Sequence, residues 1–252
     1  MKNPFDLSGR RAMVTGANTG IGQGIAVSLA QAGAEVIAVG RSSMVETRAA
    51  IEGAGGKMRE IRADLGETGS VAAMFDKTWH EHGPIDILVN NAGIIRRADA
   101  VDFAEADWDA VMDVNLKSVF LLCRAFARKV FADERAGRIV NVASLLSFQG
   151  GIRVASYTAS KSGLAGLTRL LANEWAAKGI NVNAIAPGYI ETNNTEALRN
   201  DPVRREDILK RIPAGRWGQP SDIGGTAVFL ASDAATYVHG AVIPVDGGWL
   251  AR

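Results

Sequence analysis

One cysteine, Cys123, is all the thiol chemistry that the 252 residues contain, so no internal disulfide can form. Its neighbours Leu121, Leu122 and Phe126 mark it as a buried small hydrophobe rather than a reactive thiol. An excess of charge of either sign is also missing. With 28 basic and 27 acidic residues the net charge is +1, which gives no field to draw nucleic acid or an anionic membrane. No apolar run reaches the roughly 18 residues of a membrane span. The stretch from Met1 to Gly16 holds no leader-like apolar segment before the first strand pattern. Linkers, repeats and low-complexity stretches are absent, and no metal site is expected. The expectation is one cytoplasmic domain over residues 1–252, with enough apolar sequence for a large core.

What is present is alternation. Apolar runs read as buried strands at Arg11–Thr15, Glu35–Val39, Ile85–Asn90, Arg138–Ala143, Ile180–Ala186 and Ala241–Val245. A weaker alternating run, Lys57–Arg62, is closed by Ala63, Asp64 and Leu65. Helical patterns lie between them: Ile21 to Gly33, Met44–Ala54, Val71–His82, one long helix from Ala104 to Ala132, Ser156–Ala177 and Pro220–Ser232. Strand and helix in turn predict an α/β fold, a single-domain Rossmann-type doubly wound parallel sheet of about seven strands flanked by helices. Only residues 189–217 are too polar and irregular for that core, and they are expected to cover the substrate as a lid.

The first strand runs into Thr15-Gly16-Ala17-Asn18-Thr19-Gly20-Ile21-Gly22 and then a helix. That is where a dinucleotide phosphate site is built. Gly16 permits a tight exit, Gly20 lets the backbone approach a pyrophosphate, and Gly22 allows close packing. Asn18, Thr19 and Ile21 supply backbone between them, and the helix N-terminus offers unpaired N–H groups to anionic oxygens. The second strand ends Val39-Gly40-Arg41-Ser42, without the carboxylate that usually grips the ribose of NAD. Arg41 could meet a 2′-phosphate, or lie over adenine as a solvated side chain. Asp64, beside Leu65, could accept from the adenine amino group or simply start a turn.

Tyr157 and Lys161, four residues apart, share one face of a helix. Ser144 ends a buried strand at the carboxyl edge, where its hydroxyl can donate to a developing oxyanion. Asn115 lies inside the long helix pattern, although asparagine is a poor helix former. Each residue alone also fits an ordinary structural role.

The glycine turn, Asn90-Asn91-Ala92-Gly93, Asn115, Ser144, the Tyr157–Lys161 spacing and Pro187-Gly188 occur in this order along the chain. Together they resemble the short-chain dehydrogenase/reductase family. Residues 144–163, 173–195 and 211–232 look like its group acting on deoxy sugar acids, 2-dehydro-3-deoxy-D-gluconate or 2-deoxy-D-gluconate. The resemblance implies an oxidoreductase in which Tyr157 exchanges a proton with the substrate oxygen, Ser144 holds that oxygen, and Asn115 holds a water relaying protons to Lys161. It places Asn90, Ala92 and Gly93 against the adenosine ribose, with Asn91 in the same segment. Pro187, Gly188, the Ile190 backbone and the Thr192 hydroxyl would fix the nicotinamide amide. NAD is the cofactor it suggests, with NADP allowed by Arg41.

A tyrosine working near neutrality must fall by about 3 units from its free value, or roughly 4 kcal/mol. One cation at about 6 Å supplies roughly 3 kcal/mol, and burial opposes it. Lys161 alone therefore falls short, and the oxidised nicotinamide has to complete the effect.

An aldonate or ketouronate carries a carboxylate that arginine can hold by two hydrogen bonds. Arg96, Arg97, Arg153 and Arg216 fall on suitable loops, with Arg153 the first choice. Leu146, Gln149, Tyr189 and Asn194 complete a substrate set around Ser144. The resemblance further implies uronate catabolism and a homotetramer paired through the two long helices, with the Ala241–Arg252 tail docking across an interface. Rival readings are a reductase of 4-deoxy-5-hexosulose uronate, a gluconate 5-dehydrogenase-like enzyme, an epimerase or lyase that keeps NAD bound, and a nucleotide-sensing module.

Overall fold

The computed structural model describes residues 3–252; Met1 and Lys2 lie outside them. Seven strands form one sheet: β1 (Arg11–Thr15), β2 (Glu35–Gly40), β3 (Lys57–Arg62), β4 (Ile87–Asn90), β5 (Gly137–Val142), β6 (Ile180–Pro187) and β7 (Val242–Val245). Every pairing is parallel, in the order β3-β2-β1-β4-β5-β6-β7. The chain thus winds outward from β1 in one direction and from β4 in the other. The gap at the carboxyl ends of β1 and β4 is the switch point where such sheets bind ligands.

The strand patterns follow from this order. β4, β5 and β6 are buried at every position, because helices cover both faces of the sheet. The edge strand β3 keeps only Met58 buried, which is why its sequence alternates weakly. On one face lie α1 (Gly20–Gln31), α2 (Val45–Gly53) and, farther along the chain, the helix of Pro220–Ala231, around a core with Ile25, Leu29, Ile51 and Leu230. On the other lie α3 (Val71–His82), α4 (Glu105–Met112) with α5 (Ser118–Ala132), and α6 (Ala155–Trp175). Phe75, Phe126, Leu122 and Leu164 fill that second core, and Cys123 is buried there with its thiol pushed up to about 12 by burial.

Three expectations need adjustment. β3 stops at Arg62, so Ala63, Asp64 and Leu65 belong to the turn beyond it. Ile85 and Asp86 precede β4 rather than belonging to it. The long helix is not continuous: between α4 and α5, residues Asp113–Lys117 form a single π turn, the wide coil that often marks functional positions.

Residues 189–217 are better ordered than an irregular stretch. They carry α7 (Glu196–Asn200) and α8 (Pro202–Arg211), the latter started by Asp201 accepting from the Val203 and Arg204 N–H groups, with proline in its first turn. This segment has its own small core of Leu145, Ile208, Ile212, Trp217 and Trp249. Tyr189 packs between the two tryptophans, edge-on to Trp217 with ring centres 5.5 Å apart and tilted against Trp249 at 4.6 Å. By area, each buried indole contributes roughly 4–6 kcal/mol. The tail expected to dock across an interface therefore anchors its tryptophan within its own chain. Gln219 and Asp222 form a capping box on the next helix, α9 (Pro220–Ala231).

Candidate active site

A cavity of about 610 Å³ opens at the switch point. The glycine turn forms its floor. Gly16 and Gly20 have φ of +64° and +58°, a region that favours glycine. A Cβ on Gly22 would lie 2.1 Å from the Gly16 carbonyl oxygen and 2.3 Å from Asn91 Nδ2, so only glycine seats α1 on the β1 exit. A Cβ on Gly24 would strike Pro220, and one on Gly224 would strike Ser28. These two glycines, unnoticed in the sequence, set the close crossing of α1 and α9.

Thr19 makes no side-chain cap on α1, and the first turn has no acidic residue. The N–H groups of Gly20, Ile21 and Gly22 are therefore free to meet an anion, and all three residues line the cavity. Asn18 and Thr19 line it with them. Asn91 holds the turn from the β4 side: its Nδ2 donates to Thr15 O at 2.9 Å and Gly16 O at 3.2 Å. Asn91, Ala92 and Gly93 all face the cavity. Asn90 does not. It is buried, donating to Asn141 Oδ1 at 2.9 Å and to Cys123 Sγ, so the expected ribose contact of Asn90 is corrected to a core position.

At one end of the cavity, Arg41 and Asp64 form an ion pair of 3.2 Å, and Leu65 lies beside them. Asp64 starts a turn, its Oδ1 accepting from the Gly66 N–H at 2.8 Å, and its Oδ2 accepts from Arg41. That N–H bond, with help from Arg41 and against some burial, holds the carboxyl below its usual range.

At the other end are Ser144, Tyr157 and Lys161, all on the cavity wall. Ser144 follows β5 and caps the short turn of Leu145–Ser147, its Oγ accepting from the Leu146 N–H at 3.2 Å. That uses a lone pair and leaves the hydroxyl hydrogen to donate toward Tyr157. α6 projects Tyr157 and Lys161 together, with Lys161 Nζ 5.7 Å from the Tyr157 ring centre. Lys161 is buried and donates to Val142 O at 2.6 Å; burial pulls its pKa down to about 8. Burial pushes Tyr157 up, while the Ser144 hydroxyl and the Arg97 charge pull it down. In the protein alone Tyr157 is protonated at neutral pH, as the charge arithmetic requires.

Asn115 sits in the π turn, fully buried. Its Oδ1 accepts from the Ile94 N–H at 2.8 Å, and its Nδ2 donates to Ile94 O at 2.9 Å and Ser160 Oγ at 3.3 Å. Both amide hydrogens are thus committed to fixing the loop after β4 against α6. Any water held at Asn115 has to donate to one of its oxygens.

Pro187, Gly188, Ile190, Thr192 and Asn194 line the remaining wall. A Cβ on Gly20 would be 3.2 Å from Thr192 Cγ2, so the segment after β6 comes down onto the glycine turn. The other substrate candidates stand outside the cavity wall. Leu146 packs on the loop at Gly151, Gln149 Oε1 accepts from the Trp249 indole at 3.3 Å, and Tyr189 belongs to the aromatic cluster. Arg153 is exposed and paired with Asp99 at 3.1 Å. Arg96 pairs with Asp107, and Arg216 with Asp222. Arg97 alone of the four makes no ion pair among the described residues. It reaches the Asn194 carbonyl at 3.1 Å and acts on Tyr157.

A phosphate-accepting glycine turn and a Ser–Tyr–Lys set facing one cleft define a dinucleotide-dependent oxidoreductase. The chain belongs to the short-chain dehydrogenase/reductase family, whose members use NAD(P). A family model described as Enoyl-(Acyl carrier protein) reductase matches residues 16–250. A 2-dehydro-3-deoxy-D-gluconate 5-dehydrogenase from Dickeya dadantii (strain 3937) is 55% identical over 250 residues, 99% of each chain. An Agrobacterium tumefaciens protein solved with bound NADP is 64% identical, with a TM-score of 0.95 over 100% of both chains. A gluconate 5-dehydrogenase from Burkholderia cenocepacia J2315, solved with NADP and tartrate, is 40% identical with a TM-score of 0.92, covering 99% of this chain and 98% of that one.

Proposed function

We propose that the chain is a dehydrogenase of a deoxy sugar acid, acting on 2-dehydro-3-deoxy-D-gluconate or 2-deoxy-D-gluconate. The observation that carries this is the convergence of Ser144, Tyr157 and Lys161 on the cavity whose far end is the uncapped N-terminus of α1. The similarity to the Dickeya dadantii enzyme supports the substrate class.

The bound nicotinamide would accept or give the hydride. Tyr157 Oη takes the proton of the substrate hydroxyl in oxidation and returns it in reduction. Ser144, its lone pair occupied by Leu146, donates to the same substrate oxygen and stabilises charge as it develops there. Lys161 holds its cation beneath the Tyr157 ring and favours the tyrosinate. Asn115 fixes the Ile94 loop, so the carboxyl ends of β4 and β5 keep their spacing. Arg97 is the residue we assign to the substrate carboxylate, in place of Arg153, because its guanidinium is unpaired and close enough to act on Tyr157. Thr192 and Asn194 bring the lid to the same point.

Both NAD and NADP fit. The glycine turn and Asn91 suit either, and the position of Arg41 at the cavity lip supports a 2′-phosphate contact. No helix among the described residues is long and apolar enough to cross a membrane. Work in the cytoplasm, where free nicotinamide cofactors are supplied, and a place in uronate breakdown accord with this reading.

A homotetramer is part of the proposal. Met112, Leu116 and Phe120 from the α4–α5 side, with Gly163, Gly166 and Leu170 of α6, line an apolar groove, and Phe120 and Leu170 are 39% and 50% exposed. The small residues let a second helix pair approach closely.

The test is the absorbance of NADH and NADPH with 2-dehydro-3-deoxy-D-gluconate, 2-deoxy-D-gluconate, gluconate and 4-deoxy-5-hexosulose uronate. Turnover of a deoxy acid is expected; preference for gluconate would favour the gluconate 5-dehydrogenase reading, which the Burkholderia cenocepacia similarity supports. No net change in reduced cofactor with any of them would refute the dehydrogenase reading.

A further inference from the structure

We propose that Asp64 sets the balance between NADP and NAD by competing with a 2′-phosphate for Arg41. This rests on the reading that Arg41 meets the 2′-phosphate of NADP. The ends of β2 and β3 are adjacent in register, Gly40 opposite Arg62, and the Ala63 N–H donates to Gly40 O at 3.1 Å. The turn that leaves each strand therefore brings Arg41 and Asp64 to the same lip of the cavity, where they pair at 3.2 Å.

The two partners differ in freedom. Asp64 is pinned, its second oxygen held by the Gly66 N–H at 2.8 Å. Arg41 is 64% exposed and makes no other ion pair among the described residues, so it is the member that can turn away. Asp64 is held below the usual carboxylate range and is an anion at any working pH. A phosphate monoester is close to a dianion at neutral pH. Its arrival makes Arg41 exchange a fixed carboxylate for the phosphate, with the carboxylate left as a like charge beside it. NAD has a neutral hydroxyl there and leaves the pair intact. Every contact to adenine is shared by the two cofactors and cancels in the ratio of their affinities.

The pair is exposed, and exposed pairs are weak, so the effect is modest. Asp64→Asn keeps the acceptor for Gly66 and removes the charge. It should raise the NADPH-to-NADH affinity ratio by about two- to fivefold, the range such a pair covers. In the Arg41→Gln background the same change should raise the ratio by less than half as much, because only direct repulsion remains to be relieved.

The measurement is a fluorescence titration of the purified full chain with NADPH and NADH at one fixed ionic strength, for the parent, both single variants and the double. Substrate is not needed. A ratio that rises with Asp64→Asn and rises less without Arg41 supports the competition. An unchanged ratio, or an equal or larger rise without Arg41, overturns it even when Arg41→Gln itself lowers the ratio. An unchanged ratio in Arg41→Gln overturns the 2′-phosphate reading as well.

Discussion

Lys161→Met should make the cofactor-free protein more stable at neutral pH while abolishing turnover. Burial brings the Lys161 pKa from 10.5 to about 8, a gap worth roughly 3 kcal/mol at 1.36 kcal/mol per unit. The sign follows from proton binding. Between pH 8 and 10.5 the unfolded chain holds a proton on this lysine that the folded chain has released, so wild-type stability rises with pH through that window. Below pH 8 both forms are protonated and the full cost of a buried ammonium is present. Methionine has similar length and no charge to desolvate. It loses the 2.6 Å hydrogen bond to Val142 O, a deficit of about 1–1.5 kcal/mol. The net gain at pH 7 is then about 1–2 kcal/mol, a few degrees in Tm for a chain of this size.

The pH dependence separates this cause from a generic packing effect. By pH 9.5 the lysine's cost in the wild type has fallen by about 2 kcal/mol, so the variant's advantage should vanish or reverse. Urea unfolding at fixed protein concentration, followed by fluorescence of the five tryptophans, reads both points. A variant less stable than wild type at pH 7, or an advantage constant from pH 7 to 9.5, would refute the reasoning. A lysine that lowers stability and is held without an acidic partner has a reason to be there only if the site needs its charge.

Other expectations follow from the same geometry. Tyr157→Phe should cut turnover by at least about 10³-fold while leaving NADPH affinity within a few-fold, since it removes only the proton donor and acceptor; loss of cofactor binding would count against that role. Burial raises the Tyr157 pKa, so ultraviolet difference titration of wild type against Tyr157→Phe should show no tyrosinate below its ordinary range until oxidised cofactor is added. Arg97→Ala should raise the KM for the sugar acid by about 10- to 100-fold, the range of a charge-assisted hydrogen bond, whereas Arg153→Ala should change it little; the reverse order would return the carboxylate to Arg153. Gly22→Ala places a Cβ 2.1 Å from Gly16 O and should destabilise by at least about 2 kcal/mol, with cofactor binding lost, as thermal melting and titration would show. Phe120→Glu puts a charge in the α5–α6 groove and should convert a tetramer to smaller species by light scattering; a wild-type monomer at micromolar concentration would remove the tetramer itself.

The features legible in the sequence are those fixed by local rules. Gly16, Gly20 and Gly22 lie where a strand must turn into a helix, and Tyr157 and Lys161 share a face because α6 has 3.6 residues per turn. Fully buried strands gave no such guidance. β4 is covered on both faces, so apolarity does not say which of Asn90 and Asn91 points inward and which leaves the strand. The same limit hides the π turn. Helical spacing through Val111, Val114 and Val119 reads as unbroken, and one extra residue in a turn changes no residue type. Within that turn Asn115 spans from Ile94 to Ser160 and joins the loop after β4 to α6.

The choice among arginines depended on partners far away in sequence. Arg153 has Asp99, Arg216 has Asp222 and Arg96 has Asp107, and each pairing removes a cation from the cleft. Arg97 is left over by this pairing rather than marked by any motif. Residues 189–217 are similar: Tyr189, Trp217 and Trp249 meet only because the end of β6, the turn before α9 and the chain's last residues converge on one corner. Once they do, the polar helices α7 and α8 need little core of their own, which is why their sequence is too polar for the main core. Local rules therefore placed the chemistry, and long-range pairing decided which charges were free to serve it.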